Sequence, residues 1–456
     1  MNSPYFNGPS LDDDIIDRIL MFSPSFSTFQ SAILTSRSFY CVYKAHPRSI
    51  VQAVACNVTG SSDLVPEALR VARYGDSKDE LNDTRESHGV RGVSIEKVDS
   101  DEMFITPRIA QRLTINAEVV NQLEDLFSLR HKNRHFKTSQ LTPTESFRFR
   151  QAMYRVMLYC NVFHRDHYKR WVFEDSDEFK RIQSAKERFL AEFCSRELLR
   201  IYDVSCFLVK SISWAGAGNN SMQANHYRAV LAMGPTQILG CIKMRSLNSV
   251  TQYRGAGYIL NPVFQEYLSG PILKILQTRG QKMPVSFEST YRFQSILDTV
   301  EGENDCCNQC RSPAGLNLLG PTTLEYLAWG SETLSPENLF FRLKGRLPFS
   351  SADHDREFML NQVKNTEDPY TKLCDFIFQD GVKLPEFDNW KKDDWLCEAC
   401  FQKLVEEHLH LWLLDRKRKS IGKDCPYGYH CRTQELVELP HAKRYNHLCA
   451  PTRACE

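Results

Sequence analysis

The sequence predicts a mainly α-helical fold: a short N-terminal helical module, an irregular helical middle domain and a metal-stapled C-terminal region. Three observations predict it. Apolar residues recur at helical spacing from residue 11 onward, long amphipathic runs fill 106–295, and ten of the sixteen cysteines lie beyond residue 305. The expected divisions are 1–50, 51–105, 106–295, 296–420 and 421–456.

At 456 residues, 42% apolar and 25% charged, the chain has the composition of ordinary globular domains. Basic and acidic residues balance at 57 to 56, so overall charge selects no partner. The start of the chain lacks a basic stretch followed by an apolar core, and no run reaches the roughly 18 apolar residues of a membrane span. An intracellular location is expected, where thiols stay reduced and bind metal rather than pair as disulfides. The scattered Cys41, Cys56, Cys160, Cys194, Cys206 and Cys241 read as small buried apolar residues.

Residues 11–45 read as three short helices. Leu11, Ile15, Ile16, Ile19 and Leu20 carry the helical period of the first, and Asp12 to Asp14 place negative charge at its positive end. Ser23-Pro24-Ser25 ends it, and Ser25 or Ser27 can cap a second helix with Phe29, Ala32, Ile33 and Leu34. A third carries Phe39, Tyr40 and Tyr43. So few residues bury too little apolar surface to stand alone, so the unit must pack on a neighbour or a partner. Residues 75–103 are polar and read as a linker. Helices are then expected over 109–130, 147–163 and 177–201, with Thr144 as N-cap of the second.

The last third carries the ligand-type residues. Cys307-x-x-Cys310 has the form of a knuckle turn, and Cys397-x-x-Cys400 opens an amphipathic helix through Leu414, with Asp393 and Asp394 as candidate caps. Thiolates there are favoured by unpaired backbone N–H groups and the helix dipole. A knuckle and a helix N-terminus sharing one ion resemble a treble clef, with Cys306 and Cys374 as alternative ligands. A second set follows: Cys425-x5-Cys431, then His441-x5-His447, with Cys449 as a spare. Zinc, which takes thiolates and imidazoles tetrahedrally, is the expected metal. Arg416-Lys417-Arg418-Lys419 reads as a localisation or nucleic-acid patch, or as basic residues opposing a helix dipole. His164-Arg-Asp166-His167 is a chance echo of a kinase triplet, with no accompanying glycine-rich loop.

Residues 11–40, with the Ile/Leu-rich first helix and the segment Ser36-Arg37-Ser38-Phe39-Tyr40, resemble the F-box, with Asp12 in place of its proline. That resemblance implies that Leu11, Ile15, Ile19 and Leu20 dock a Skp-type adaptor while the rest of the chain holds an unknown protein substrate for ubiquitination. The chemistry would then reside in the partner enzymes. Cys425-Pro-Tyr427-Gly428 with the later histidines resembles the poly(ADP-ribose)-binding zinc finger, in which Tyr427 would stack on adenine. Arg432 stands where that finger has its second aromatic, and nine residues rather than about six separate Cys431 from His441. The alternative expectation is therefore a nuclear zinc-finger protein that binds nucleic acid or poly(ADP-ribose). Taken with the two ends of the chain, the whole resembles a group of uncharacterised fungal F-box-like proteins. It resembles no enzyme.

Overall fold

The computed structural model describes residues 11–81, 104–164, 173, 176–216, 230–244, 263, 266–281 and 293–453, apart from 329–330, 332, 347–351, 380–381, 418–421 and 437–438. The described residues are mainly helical and gather around two separate apolar cores.

The first core begins with α1 (Asp13–Met21), α2 (Phe26–Thr35) and α3 (Arg37–Ala45). Ser25 is the cap of α2, its hydroxyl accepting from the Thr28 N–H at 3.1 Å. Ile16, Leu20, Phe29 and Val42 turn inward. They meet α4 (Pro47–Thr59), whose Asn57 amide donates to the carbonyls of Met21 and Ser23 at 2.8 and 3.0 Å and fixes the end of α1. The N-terminal helices thus share a core with the middle of the chain, as their small buried area requires.

That core continues through α5 (Val65–Leu81), α6 (Pro107–His131), α7 (Pro143–Val162), α8 (Asp177–Ala191), α9 (Ser195–Gly216), α10 (Pro235–Met244) and α11 (Ser269–Thr278). Four expectations change here. The expected linker from 75 is helical to Leu81, and 82–103 lies outside the described residues. The cap of α7 is Thr142, not Thr144: Pro143 takes the first helical position, where its missing N–H costs nothing, and Thr142 and Glu145 close a reciprocal capping box. The helix expected over 177–201 is two, because the Glu197 carboxylate accepts the Cys194 N–H at 2.9 Å and starts a new helix. Of the single cysteines, Cys160, Cys206 and Cys241 are buried, but Cys41 and Cys194 are exposed, since each falls on a solvent-facing helix position or junction. Residues 165–167 of the His164-Arg-Asp166-His167 triplet lie outside the described residues.

Phe127 sits in the middle, its ring 4.8 Å from Phe149, 5.3 Å from Phe207 and 5.4 Å from Phe293. Full burial of such a ring stabilises by about 1.5–3 kcal/mol. The buried Lys132 and Glu145 are paired. Lys132 Nζ reaches Glu145 Oε1 and the Thr299 carbonyl, both at 2.9 Å, and the Asp298 N–H donates to the same carboxylate oxygen at 2.8 Å. Those donors outweigh the cost of burial and hold Glu145 below the usual carboxylate range.

The second core is built from shorter pieces: α12 (Leu324–Leu327), α13 (Pro336–Leu339), α14 (Ala352–Lys364), α15 (Pro369–Ile377) and the long α16 (Glu398–Lys417). Phe401, Leu404, Val405, Leu409, Trp412 and Leu413 form the buried face of α16 at helical spacing. After it, β1 (Lys423–Asp424) pairs in parallel with β2 (Tyr445–Asn446), and α17 (Pro440–Arg444) lies between them in sequence.

Candidate metal centres

Two four-residue groups of metal-ligating side chains stand in the C-terminal region, and each can hold a metal ion. The first is Cys307, Cys310, Cys397 and Cys400, and the second is Cys425, Cys431, His441 and His447; within each group the ligand atoms lie within 4.8 Å of one another. The 86 intervening residues therefore do not keep the two Cys-x-x-Cys pairs apart.

At the first centre the chain turns at Arg311, which takes a left-handed φ of 60° and returns its N–H to the Cys307 carbonyl at 3.0 Å. The other half comes from the start of α16: Cys397 precedes the helix, its carbonyl accepting the Phe401 N–H at 3.0 Å, and Cys400 lies in the first turn. The halves are stitched by backbone. The Asn308 N–H donates to the Trp395 carbonyl at 2.9 Å, the Trp395 N–H donates to Asn308 Oδ1 at 2.8 Å, and Leu319 and Leu396 exchange both backbone bonds at 2.8 Å. Asp394 is not the helix cap. Its carboxylate accepts from the Lys391 N–H and from the Gln309 amide, ordering the approach to the site instead.

Cys310 Sγ and Cys397 Sγ are 3.5 Å apart. A tetrahedral ion with thiolates at about 2.3 Å needs sulfur edges of about 3.8 Å, which this pair approaches, and the four sulfurs all lie within 4.8 Å of one another. Burial pushes the Cys307 thiol up, but the backbone N–H groups of Cys310, Cys397 and Gln309 outweigh it and bring the thiol down to about 7. Burial, and then the neighbouring sulfurs, push Cys400 up. The Cys307 thiolate is thus favoured by the backbone, whereas Cys397 and Cys400, both raised first by burial, need the positive charge of an ion. Cys306 is exposed, with its thiol on the Asn304 carbonyl, and Cys374 is buried on α15, so neither alternative ligand joins the group.

At the second centre, His441 Nε2 lies 3.4 Å from both Cys425 Sγ and Cys431 Sγ, close to the sulfur–nitrogen edge of about 3.5 Å expected of a tetrahedral site. His447 is buried, and its Nε2 has no hydrogen-bond partner among the described residues. A buried ring nitrogen without a partner is costly unless a ligand meets it, which is the arrangement of an imidazole awaiting an ion. Burial, then neighbouring His441, lowers His447 to about 4, so it is neutral and competent to ligate at pH 7. Cys449 stands outside the group: its thiol points to the carbonyls of Cys425 and Asn446 at 3.4 and 3.3 Å. With His441 in place no spare is needed.

The second centre is seated on the body of the region. Leu448 is fully buried in the second core, the His447 N–H donates to the Arg346 carbonyl at 3.0 Å, and Tyr429 packs edge-on to His410 of α16 at 5.5 Å. Gly345 makes the approach possible, because a Cβ there would sit 2.0 Å from the His447 carbonyl oxygen. Sequence reading missed this seat; its signal was Gly345 itself, in a left-handed conformation at φ 81°.

The remaining expected sites are scattered. Leu11, Ile15 and Ile19 are exposed at 50%, 47% and 43%, and Phe22 joins them at 78%, whereas Leu20 is fully buried and faces the core. Leu20 therefore cannot belong to a docking set, because it is fully buried in the first core. Arg416 is exposed and lies 5.4 Å from the Trp412 ring, Lys417 ends α16, and Arg418 and Lys419 lie outside the described residues. No helix among the described residues is long and apolar enough to cross a membrane.

No protein-family model, curated protein or solved structure matches the chain.

Proposed function

We propose that the protein is a zinc-binding, non-catalytic interaction protein that acts as an F-box-like substrate receptor of a Skp-cullin-F-box ubiquitin ligase. The observation that carries this reading is α1. Ile16 and Leu20 fill the core while Leu11, Ile15, Ile19 and Phe22 keep a second apolar row in solvent. A helix this short with apolar residues on both faces leaves one face for a partner. In the F-box resemblance that partner is a Skp-type adaptor, and the C-terminal region would hold the protein substrate. Zinc is the ion that four thiolates, and two thiolates with two imidazoles, select at closed tetrahedral sites. The knuckle and helix N-terminus of the first centre would then form a treble clef.

The test is adaptor capture by the full chain and by Ile15→Asp/Ile19→Asp. Both side chains are exposed, so the variant should fold, keep its metal and lose capture. Capture at wild-type strength by the double variant would sink the reading.

A second reading, binding of nucleic acid or poly(ADP-ribose) by the second centre, is favoured by the exposure of Tyr427 with Arg432 and Arg444 on the same small unit. Binding of either polymer by the full chain, weakening steeply with salt and lost in Tyr427→Ala, supports it.

A further inference from the structure

We propose that the first centre is a metal-dependent clamp between the two cores, through which the bound ion sets how the helical body sits against the C-terminal region. This rests on the metal reading of Cys307, Cys310, Cys397 and Cys400. The same short stretches that supply the ligands also supply the seam. Asp305, two residues before Cys307, pairs with Arg134 just beyond α6. Trp395, two residues before Cys397, lies 4.8 Å from the Arg134 guanidinium and 4.8 Å from the His135 ring. Gly320 allows the indole its place, since a Cβ there would be 2.4 Å from the ring. Around this centre, Arg130 donates to the Leu316 carbonyl at 3.1 Å and to Asn317 at 2.9 Å, the Glu301 N–H donates to the Lys132 carbonyl at 3.1 Å, and Thr322 donates to the Arg134 carbonyl.

These seam contacts are mostly polar, with the Trp395–His135 rings and Tyr326 of α12 against the first core as the apolar part, and they lie beside two separate apolar cores. Asp305 is 46% exposed, and an ion pair of that kind holds little by itself. What makes the set effective is that Asp305 and Trp395 are already fixed when they meet Arg134. The ion completes that fixing, adding to the Asn308–Trp395 and Leu319–Leu396 bonds by tying two stretches 87 residues apart into one unit. Without it, Trp395 and Asp305 must be ordered at the expense of the seam. The coupling is reciprocal: a broken seam must weaken the ion's hold at this centre.

The experiment uses the full chain loaded with zinc, with metal counted by mass spectrometry and hydrogen exchange followed along the backbone. Cys310→Ser should lose one ion and raise exchange across 130–141, far from its own position in sequence. Cys425→Ser should lose the other ion and leave 130–141 protected. Because Cys310→Ser removes a ligand and can unfold more than the seam, Arg134→Ala and Trp395→Ala give an independent reading. Each should weaken zinc at the first centre about tenfold in competition with a chromogenic chelator, leaving the second centre unchanged, while Trp395→Phe restores affinity. Unchanged affinity in both alanine variants, or loss of the ion in Cys310→Ser with 130–141 still protected, overturns the clamp. A wild-type chain that takes one ion, at the second centre alone, overturns the metal reading itself.

Discussion

The helical body and the C-terminal region reach order by opposite routes. In the body, Phe127, Phe149, Phe207 and Phe293 pack ring to ring, and the helices around them are mostly ten residues or longer. Its stability is distributed over many apolar contacts. In the C-terminal region α12 and α13 are four residues each, β1 and β2 are two each, and eight side chains gathered in two groups can tie the pieces together through bound metal, beside a second apolar core. With metal bound, its stability is more concentrated. The difference predicts that the two regions respond to different insults, and the contrast can be attacked from either side.

The largest effect should come from chelation. Metal–ligand free energy at a structural site is of order 10 kcal/mol, so a strong chelator at neutral pH should expose 307–448 to hydrogen exchange while α7 and α9 remain protected. Equal loss of protection in both regions would erase the contrast. The converse perturbation is Phe127→Ala, expected to destabilise the body by about 3–5 kcal/mol in urea unfolding while both ions remain bound below the transition.

A smaller effect tests whether the body tolerates its buried charges only because they are paired. Glu145→Gln leaves Lys132 without its counter-charge and should cost about 3 kcal/mol at pH 7. The folded carboxyl titrates below its unfolded value of about 4.3. Its contribution is therefore complete above that value and is lost as pH falls through the lower folded one. Wild type and variant should converge in acid, which urea unfolding at pH 3 and pH 7 will check.

The effect that is smallest per unit of pH concerns Lys186, which is buried, donates to the Val263 carbonyl at 2.7 Å, and is pushed by burial down to about 7. Its unfolded value is about 10.4, so between the two the unfolded chain binds more protons. Stability should rise with pH over that window, by at most about 1.4 kcal/mol per unit, and the rise should vanish in Lys186→Met. A slope unchanged in the variant would assign it to other groups.

The two regions also differ in how far they can be read from sequence. Period and caps located α1 to α3 and most of α6 and α7, because a face that repeats every three to four residues is a local signal. The break between α8 and α9 was hidden, since Glu197 capping Cys194 does not interrupt an apolar pattern. In the C-terminal region the ligand residues were visible from spacing, and the pattern of a knuckle turn and a helix N-terminus also suggested that Cys307 and Cys310 share an ion with Cys397 and Cys400, which the structure brings together across 87 residues. Arg134 against Trp395 was invisible, because nothing local reports a contact between stretches so far apart in sequence. Leu20 was misplaced because the sequence shows that α1 is apolar but does not show which of its two apolar faces turns to the core.

The long span between the halves of the first centre has a consequence for the chain as it is made. Cys306, Cys307 and Cys310 leave the ribosome well before Cys397 and Cys400, and at about 5–20 residues per second the 87-residue interval lasts roughly 4–17 s. The helical body is by then complete in sequence, so Arg130 and Arg134 stand ready while the thiols beside them still lack half of their site. During that interval the nascent protein carries an open half-site, and the thiol and metal buffering around it, rather than the final fold, determines what fills it first.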